Sequence, residues 1–398
     1  MSPRLGQQAV TVTNTLPLLL TSKCFLLKHY NVRPIPPFPM SKTHSLSRSA
    51  LHKESVFSPV HSSNTHVTSP SNKNAHSKPI TVSNGAETHG TLNQIPARKM
   101  SFDVGVHEEQ GQRPTMEDTH AFIVDFDSVL GQGYFGVFDG HGNNNVADWC
   151  GAEFHKYFLQ CIHDHPDWPP TDVLNDTFRK VDDILKKMSE TANDLSDSGA
   201  TAVVAFLRLE DQSGSQSSFS TSNLKSLLKD GKTSNLISPP PDAKKVLYVA
   251  NVGDARGVLS RRGVAKRLTQ DHKATDEHER ERICDAGGIV IRGRVFGTLA
   301  VSRSLGDHLS YEGLHLKDFV IGTPYTTETT LDDGDEYCII ACDGLWDVMT
   351  DQEAVDLIRD IPNAQKASET LVNYALKNER QQSQDNVTVM VIRFNATS

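Results

Sequence analysis

Carboxylates that follow short apolar runs are the residues of this sequence best suited to chemistry. The clearest example is the run 134–138, which leads directly into Asp139-Gly140-His141-Gly142. This order predicts a buried strand that carries a carboxylate at its end. Burial of that carboxylate is costly unless a cation lies against it, and Gly140 would let a backbone carbonyl reach the same cation. The stretch therefore indicates a metal site, with an ordinary Asp-Gly turn as the alternative.

Three more aspartates lie at the ends of predicted strands. Asp254 follows the apolar run 246–251, Asp343 follows the run 337–342, and Asp385 stands just before the run 387–392. If these strand ends meet in one site, the carboxylates repel one another by several kcal/mol, and two or more divalent cations would remove the repulsion. Oxygen ligands without a cluster of histidines and cysteines favour Mg²⁺ or Mn²⁺ over Zn²⁺.

A guanidinium lies close to two further carboxylates in the segment that contains Arg113, Glu117 and Asp118. Arginine binds phosphate oxygens through a rigid fork, while adjacent acids hold a metal ion or its water. The segment connects predicted strands at 102–106 and 121–124. It is typical of a site for an anion and a cation together, with a surface ion pair as the alternative.

The charge of the chain divides at about residue 100. Residues 1–100 hold eleven Lys and Arg against two Asp and Glu, whereas residues 101–398 hold 29 against 47. The acidic body argues against nucleic acid as a partner and is rich in the ligands of divalent cations. The six cysteines form no C-x-x-C motif. We therefore expect a reduced, intracellular protein.

Two segments lack lasting periodicity. Residues 1–100 are rich in Ser, Thr, Asn, Pro and His and are predicted to be a disordered basic arm. Their apolar patches are too short for a membrane span, and the absence of acids before Glu54 leaves a mitochondrial transit peptide as an alternative. Residues 210–244 are predicted to be a disordered insertion between two strands. Ser58, Ser69 and Ser238 each precede proline, so we hypothesise that proline-directed kinases regulate or dock there.

The remaining pattern predicts helices that cover a mostly antiparallel sheet. Apolar residues at three- and four-residue steps predict a helix from Asn145 to about His163, and Thr171 is predicted to cap a second helix. The run 201–207 predicts the next strand. Thr350 and Glu353 have the spacing of a capping box that opens a later helix.

Taken together, these segments resemble the motifs of the metal-dependent type 2C protein serine/threonine phosphatases. The resemblance covers about residues 101–394 and is most similar to the compact fungal members that act on stress-kinase pathways. In chain order, the segments that carry it are Arg113 with Met116-Glu117-Asp118, 138–142, 198–202, 251–254, 300–307, 341–347 and Asp385-Asn386.

The resemblance implies an α+β fold, a four-layer α-β-β-α sandwich in which helices flank two mostly antiparallel sheets, over residues 101–396. It also implies a metal site at one end, between the sheets. Asp139 would bridge two metal ions, with the Gly140 carbonyl on one ion and Asp343 and Asp385 on the other. Glu117 would bind through water held by metal.

Further roles follow from the same resemblance. Asp118 would orient the metal-held water, and Asp254 and Asp347 would hold a weaker third ion. Arg113 would hold the substrate phosphate, and His141 would be the general acid for the leaving alkoxide. The ions would be Mg²⁺ or Mn²⁺, and a hydroxide that bridges two of them would hydrolyse phosphoserine and phosphothreonine in proteins.

The expected protein is a monomeric enzyme without nucleic-acid or membrane partners, cytoplasmic or nuclear, and a negative regulator of stress-activated kinase signalling. Its partners would be phosphoprotein substrates, MAP-kinase pathway components among them. Two other functions stay open at this point. One is a two-metal phosphodiesterase or nuclease, which the acidic body disfavours. The other is a non-catalytic binding module, although such modules usually lose ligands and every proposed ligand is present here.

Overall fold

The computed structural model describes residues 80–81, 87–88, 101–191, 193–222, 236–311, 314–378 and 380–394. All of these residues belong to one unit, residues 62–398. The strands are β1 (Ile80–Thr81), β2 (Glu87–Thr88), β3 (Phe102–Glu109), β4 (Asp118–Val124), β5 (Gly133–His141), β6 (Gly199–Glu210), β7 (Ser220–Ser222), β8 (Leu236–Ser238), β9 (Lys244–Val252), β10 (Arg256–Arg261), β11 (Val264–Arg267), β12 (Val290–Ile291), β13 (Arg294–Val295), β14 (Leu305–Gly306), β15 (Ser310–Tyr311), β16 (Leu314–His315), β17 (Tyr325–Thr330), β18 (Asp335–Ala341) and β19 (Val387–Phe394). The helices are α1 (Asn145–Asp164), α2 (Pro170–Ser189), α3 (Asn193–Ser196), α4 (Glu277–Asp285), α5 (Asp343–Trp346), α6 (Asp351–Ile358) and α7 (Ala364–Lys377).

Two antiparallel sheets form the centre of the fold. The first has five strands in the order β11-β10-β18-β19-β3. The second has the order β17-β9-β6-β5-β4, with β14 paired to β6. Helices α1 and α2 contact the second sheet, and α5, α6 and α7 contact the first. This arrangement confirms the predicted α-β-β-α sandwich.

Alternation along β18 shows how the sequence builds two cores at once. Cys338 and Ile340 belong to the core that includes the second sheet and α1, whereas Tyr337 and Ile339 belong to the core under α6 and α7. Successive side chains of a strand point to opposite faces, so a continuous apolar run is what a strand buried on both faces requires. The strand ends are thereby fixed between the two sheets.

Helix α1 buries the face that its spacing predicted. Val146, Cys150, Phe154, Phe158 and Cys161 are all buried. Phe154 packs edge-on against Phe178 of α2, with ring centroids 4.9 Å apart. Because these residues recur at three- and four-residue steps, they form one apolar stripe against the sheet. The helix therefore stabilises the sheet that carries β4 and β5.

The insertion 210–244 has regular structure in its described parts. β7 and β8 pair antiparallel, and the N–H of Leu130 donates to the carbonyl of Ile237 over 2.9 Å. The carboxylate of Asp211 accepts hydrogen bonds from serine hydroxyls at 213, 215 and 218. Local bonds of this kind order a polar segment without an apolar core, which the prediction of disorder did not consider. Residues 223–235 lie outside the described residues.

Three other expectations concern the basic arm, membrane-spanning helices and the cysteines. The predicted basic arm, residues 1–100, lies outside the described residues except for β1 and β2, which pair antiparallel. Across the described parts of the chain, we find no helix with the length and apolar character that spanning a membrane requires. Four described cysteines, at 150, 161, 338 and 342, are buried free thiols.

Candidate metal centre

Two carboxylates face each other across a pair of neighbouring strands. β4 and β5 pair so that Asp118 lies directly opposite Asp139, and Asp139 in turn lies opposite Thr201 of β6. Asp118 is buried, and its carboxylate accepts a 2.7 Å hydrogen bond from the hydroxyl of Thr388 on β19. This hydrogen bond ties the second sheet to the first. The register of one hairpin therefore places two acids at the junction of the sheets.

The first sheet and the loop after β9 bring three more acids to the same place. Asp343 begins α5 two residues after the end of β18, and Asp385 lies two residues before the neighbouring strand β19. Asp254 follows β9 and is buried. The carboxylates of Asp343, Asp254 and Asp385 all lie close enough to raise the pKa of Asp139. Four acids from separate strand ends thus converge, as the sequence predicted.

The acids of this cluster have too few positively charged neighbours to balance their own negative charge. Desolvation, followed by neighbouring carboxylates, raises the pKa values of Asp139 and Asp343 well above their usual range. Desolvation also raises the pKa of Asp118 to about 6. Burial and like charges both disfavour the ionised form. The cluster is therefore poised to gain stability from any cation that binds among the acids.

The residues present fit a divalent metal ion. The ligand atoms that they offer are hard carboxylate oxygens, the type that Mg²⁺ and Mn²⁺ prefer. Asp118, Asp139 and Cys342 each offer one ligand atom, and these atoms all lie within 4.8 Å of one another. A Cβ on Gly140 would lie 2.5 Å from the carbonyl oxygen of Glu117, so only glycine fits beside the acids.

Arg113 and Glu117 lie at the exposed side of the cluster. The guanidinium of Arg113 donates to the carboxylate of Asp385 over 2.7 Å, and half of the arginine side chain is exposed. The backbone N–H of Glu117 donates to the side-chain oxygen of Asn386 over 2.8 Å. Asn386 also donates to the carbonyls of Gln110 and Thr115. One asparagine therefore holds the loop that carries Arg113 and Glu117 against the start of β19.

Asp254 and Asp347 share one ammonium group. Nζ of Lys273 lies 2.9 Å from the carboxylate of Asp347 and 3.5 Å from that of Asp254. Asp347 is the residue that follows α5. Desolvation raises the pKa of Asp254, and Lys273 acts against that rise. The two predicted ligands of a third ion are thus neighbours, with a lysine between them.

His141 is paired with a buried acid that the sequence prediction gave no role. Nε2 of His141 lies 2.8 Å from the carboxylate of Asp307, which is buried. The hydroxyl of Ser304 donates to the same carboxylate, and the N–H of Asp307 donates to the carbonyl of Ser198. Although desolvation opposes a charge on His141, Asp307 raises the pKa of the imidazole. Asp307, which is itself held by Ser304 and Ser198, therefore fixes the position of the imidazole ring.

The structure brings all ten predicted site residues into one connected group. Contacts or charge interactions link the set of Arg113, Glu117, Asp118, Asp139, Gly140, His141, Asp254, Asp343, Asp347 and Asp385. Sequence reasoning missed Lys273, Asp307 and Thr388. Asp307 lay within the motif 300–307, whereas Lys273 lies in none of the motifs named above. Thr388 had no signal beyond its strand.

Comparison with known proteins agrees with this geometry. The family model of Protein phosphatase 2C matches residues 102–387. Protein phosphatase 2C homolog 1 of Saccharomyces cerevisiae is 40% identical over 295 residues, which cover 74% of this chain and 94% of that protein. Protein phosphatase 2C homolog 1 of Schizosaccharomyces pombe is 36% identical over 350 residues, which cover 86% of this chain and 88% of that protein.

Solved structures share the fold at lower identity. The crystal structure of serine-threonine phosphatase 2C from Toxoplasma gondii has a TM-score of 0.53 at 22% identity and covers 80% of this chain and 98% of that one. The structure of a C. elegans sex determining protein has a TM-score of 0.58 at 21% identity and covers 76% and 67%. Together, the sequence matches and the acidic centre identify the chain as a member of the protein phosphatase 2C family, the metal-dependent protein serine/threonine phosphatases.

Proposed function

We propose that the acid cluster holds two ions of Mg²⁺ or Mn²⁺ and that this centre hydrolyses phosphoserine and phosphothreonine in proteins. The observation that carries the proposal is the convergence of Asp139, Asp254, Asp343 and Asp385 in one cluster, where desolvation and neighbouring carboxylates raise the pKa values of Asp139 and Asp343. Acids so arranged bind a divalent cation instead of a proton at neutral pH. When bound, such ions supply a water of lowered pKa and neutralise phosphate charge.

Each metal ligand has a position that suits its proposed role. Asp139, at the junction of the sheets, would contact both ions, and the Gly140 carbonyl would contact one of them. Asp343 and Asp385, which lie next to adjacent strands of the first sheet, would hold the other. Glu117 would bind through water. The positions of Asp343, just after β18, and Asp385, just before β19, support this division, because both aspartates approach Asp139 from the opposite sheet.

Asp118 is assigned to orient the attacking water. Its carboxylate is buried and takes a hydrogen bond from Thr388, so its direction is fixed. A general base or water-orienting group needs a fixed geometry of this kind.

Arg113 and His141 act on the phosphate and the leaving group in this proposal. Arg113 would exchange its bond to Asp385 for the substrate phosphate, since its side chain is half exposed and a guanidinium binds phosphate oxygens through two N–H groups. His141 would give a proton to the leaving alkoxide. Because Nε2 is bonded to Asp307, we assign the transferred proton to Nδ1.

We also propose which proteins are the substrates. Resemblance to compact fungal members supports components of stress-activated MAP-kinase pathways as substrates, with the protein as a negative regulator in the cytoplasm or nucleus. Phosphopeptides from activation loops, compared with unrelated phosphopeptides of equal charge, test this point. Equal kcat/KM values for both sets would remove the support for pathway specificity.

Phosphopeptide hydrolysis tests the catalytic proposal. Wild type is compared with Asp139→Asn, with and without Mn²⁺, and Asp360→Asn serves as a matched control because Asp360 is exposed beyond α6. We expect hydrolysis that requires Mn²⁺, loss of the rate in Asp139→Asn and a normal rate in Asp360→Asn. A rate that persists in chelator, or one that Asp139→Asn leaves intact, would overturn the mechanism.

A further inference from the structure

One lysine occupies the position between two acids that the proposal assigns to a third ion. Nζ of Lys273 lies within ion-pair distance of both Asp254 and Asp347, at 3.5 Å and 2.9 Å. Asp254 is buried, whereas Asp347 is largely exposed, and about a third of the lysine side chain is exposed. The pair of acids is therefore closed on one side and open to solvent on the other.

The backbone on each side of Lys273 is fixed, so the position of its ammonium group is not accidental. The N–H of His272 donates to the carbonyl of Gly253, next to Asp254, over 2.9 Å. The N–H of Ala274 donates to the carbonyl of Ala300 over 2.8 Å. The chain thus places Lys273 beside Asp254, while its four-carbon stem stays free to move toward the open side.

The charges of Lys273 and of a divalent ion compete for the same oxygens. The carboxylates of Asp347 and Asp254 both lie within ion-pair distance of the ammonium group and stabilise its charge. A metal ion that bound both Asp254 and Asp347 would lie a few ångström from the ammonium and would be repelled by it. The ammonium group and a divalent ion therefore cannot bind the two carboxylates at the same time.

We propose that Lys273 is a built-in counter-ion that occupies the Asp254–Asp347 pair and must move away before a divalent ion binds there. This inference rests on the proposed function, because it concerns an ion next to the proposed catalytic pair. Because the lysine must be displaced, the third site has low affinity for divalent ions, and its occupancy responds to their concentration. With no metal in that site, Lys273 keeps a buried aspartate compensated, which two acids alone would not achieve.

Direct measurement of Mn²⁺ binding tests the proposal without reference to activity. Free Mn²⁺ is followed by its electron paramagnetic resonance signal as the ion is titrated into wild type, Lys273→Gln and Lys273→Arg. Lys366→Gln is the matched control for the lost charge, because Lys366 is exposed and pairs with Glu369 one turn along α7. Thermal unfolding of each variant establishes that it is folded.

We expect Lys273→Gln to bind the weakest Mn²⁺ ion roughly tenfold more tightly, a modest effect because the lysine is partly exposed. Lys273→Arg keeps the charge and should bind that ion as weakly as wild type does, as should Lys366→Gln. In an Asp254→Asn background, Lys273→Gln should no longer tighten binding, because the shared acid has lost its charge.

Three results would overturn the proposal: unchanged binding in Lys273→Gln, equal tightening in Lys366→Gln, or loss of a tightly bound ion in Lys273→Gln. The last result would show that the lysine supports the catalytic pair instead. None of them touches the proposed function, which fails only if hydrolysis proceeds without the tightly bound ions or survives Asp139→Asn.

Discussion

Desolvated acids of this protein occur in two settings, and their pKa values move in opposite directions. At the metal centre, desolvation and neighbouring acids raise the pKa values of Asp139 and Asp343, which keep part of their surface exposed. On α4, Glu279 has only 3% of its surface exposed, yet its pKa is lowered to about 2. Burial alone therefore does not determine whether a carboxylate is charged.

The neighbours of Glu279 explain the difference. Desolvation opposes its charge, but its carboxylate takes hydrogen bonds from Arg303 at 2.6 Å, Arg282 at 2.9 Å and Ser302 at 2.7 Å. Each donor belongs to this chain and is in place whenever the protein is folded. The metal centre instead sets acid against acid, with Arg113 and Lys273 at its edge. One region is complete as folded, and the other requires ions from solution.

Asp139→Asn should give the largest effect on activity. It removes the proposed bridging ligand, so we expect kcat/KM for a phosphopeptide to fall by at least ~10³-fold. The same change removes one of the mutually repelling acids, so the metal-free protein should become more stable toward urea. Kinetics and urea unfolding in chelator measure the two effects. A variant that loses activity and metal-free stability together would show that Asp139 is mainly structural.

Glu279→Gln should show the opposite behaviour. It leaves the guanidinium of Arg303 without its carboxylate, and loss of one partner from a buried ion pair costs about 3–5 kcal/mol. We expect the free energy of unfolding, measured with urea at pH 7, to fall by about that amount whether or not Mn²⁺ is present. If the variant keeps the stability of wild type, the comparison between the two regions fails.

The stability that Glu279 contributes should also disappear in acid. Because its pKa is about 2 in the folded protein, compared with 4.5 for an ordinary glutamate, the unfolded chain takes up the proton first as the pH falls. The contribution is complete above pH 4.5 and is lost as the pH falls toward 2. The difference in unfolding free energy between wild type and Glu279→Gln should therefore shrink over this range. A difference that stays constant between these pH values would contradict the assignment.

Asp307→Asn should have the smallest effect of these substitutions. Asparagine can still accept the hydrogen bond from His141 but lacks the charge that supports proton transfer. We expect kcat for a phosphoserine peptide to fall roughly tenfold, while hydrolysis of p-nitrophenyl phosphate changes by less than about threefold, because its leaving group needs little protonation.

The double variant with His141→Gln supplies the control. If Asp307 acts only through His141, Asp307→Asn should cause no further loss in the His141→Gln background. An equal loss on both substrates, or an additive loss in the double variant, would assign Asp307 to structure alone.

Residue patterns predicted the elements that local physical chemistry determines. The spacing of Phe154 and Phe158 gave α1 to within one residue of its end, and the capping box of Thr350 and Glu353 is present at α6. The predicted cap at Thr171 was wrong, because α2 begins earlier, at Pro170. Proline suits the first turn of a helix, where no N–H partner is needed.

Residue patterns could not predict contacts between segments that are distant in the sequence. Motifs identified Asp139 and His141, but nothing in the spacing joins Lys273 to Asp347, 74 residues away, or His141 to Asp307, 166 residues away. Such pairs depend on how the sheets pack and how loops return to them. The carboxylates were predictable because each follows or precedes an apolar strand, whereas Lys273 and Asp307 lie in loops.

Stability toward urea, with and without Mn²⁺, tests most directly whether the centre is completed by ions from solution. At a Mn²⁺ concentration of 100 times Kd, each site that binds the folded protein alone should add about 2.7 kcal/mol to the free energy of unfolding. We expect this gain in wild type and in Glu279→Gln, and a much smaller gain in Asp139→Asn. Equal stability of wild type in Mn²⁺ and in chelator would contradict the account.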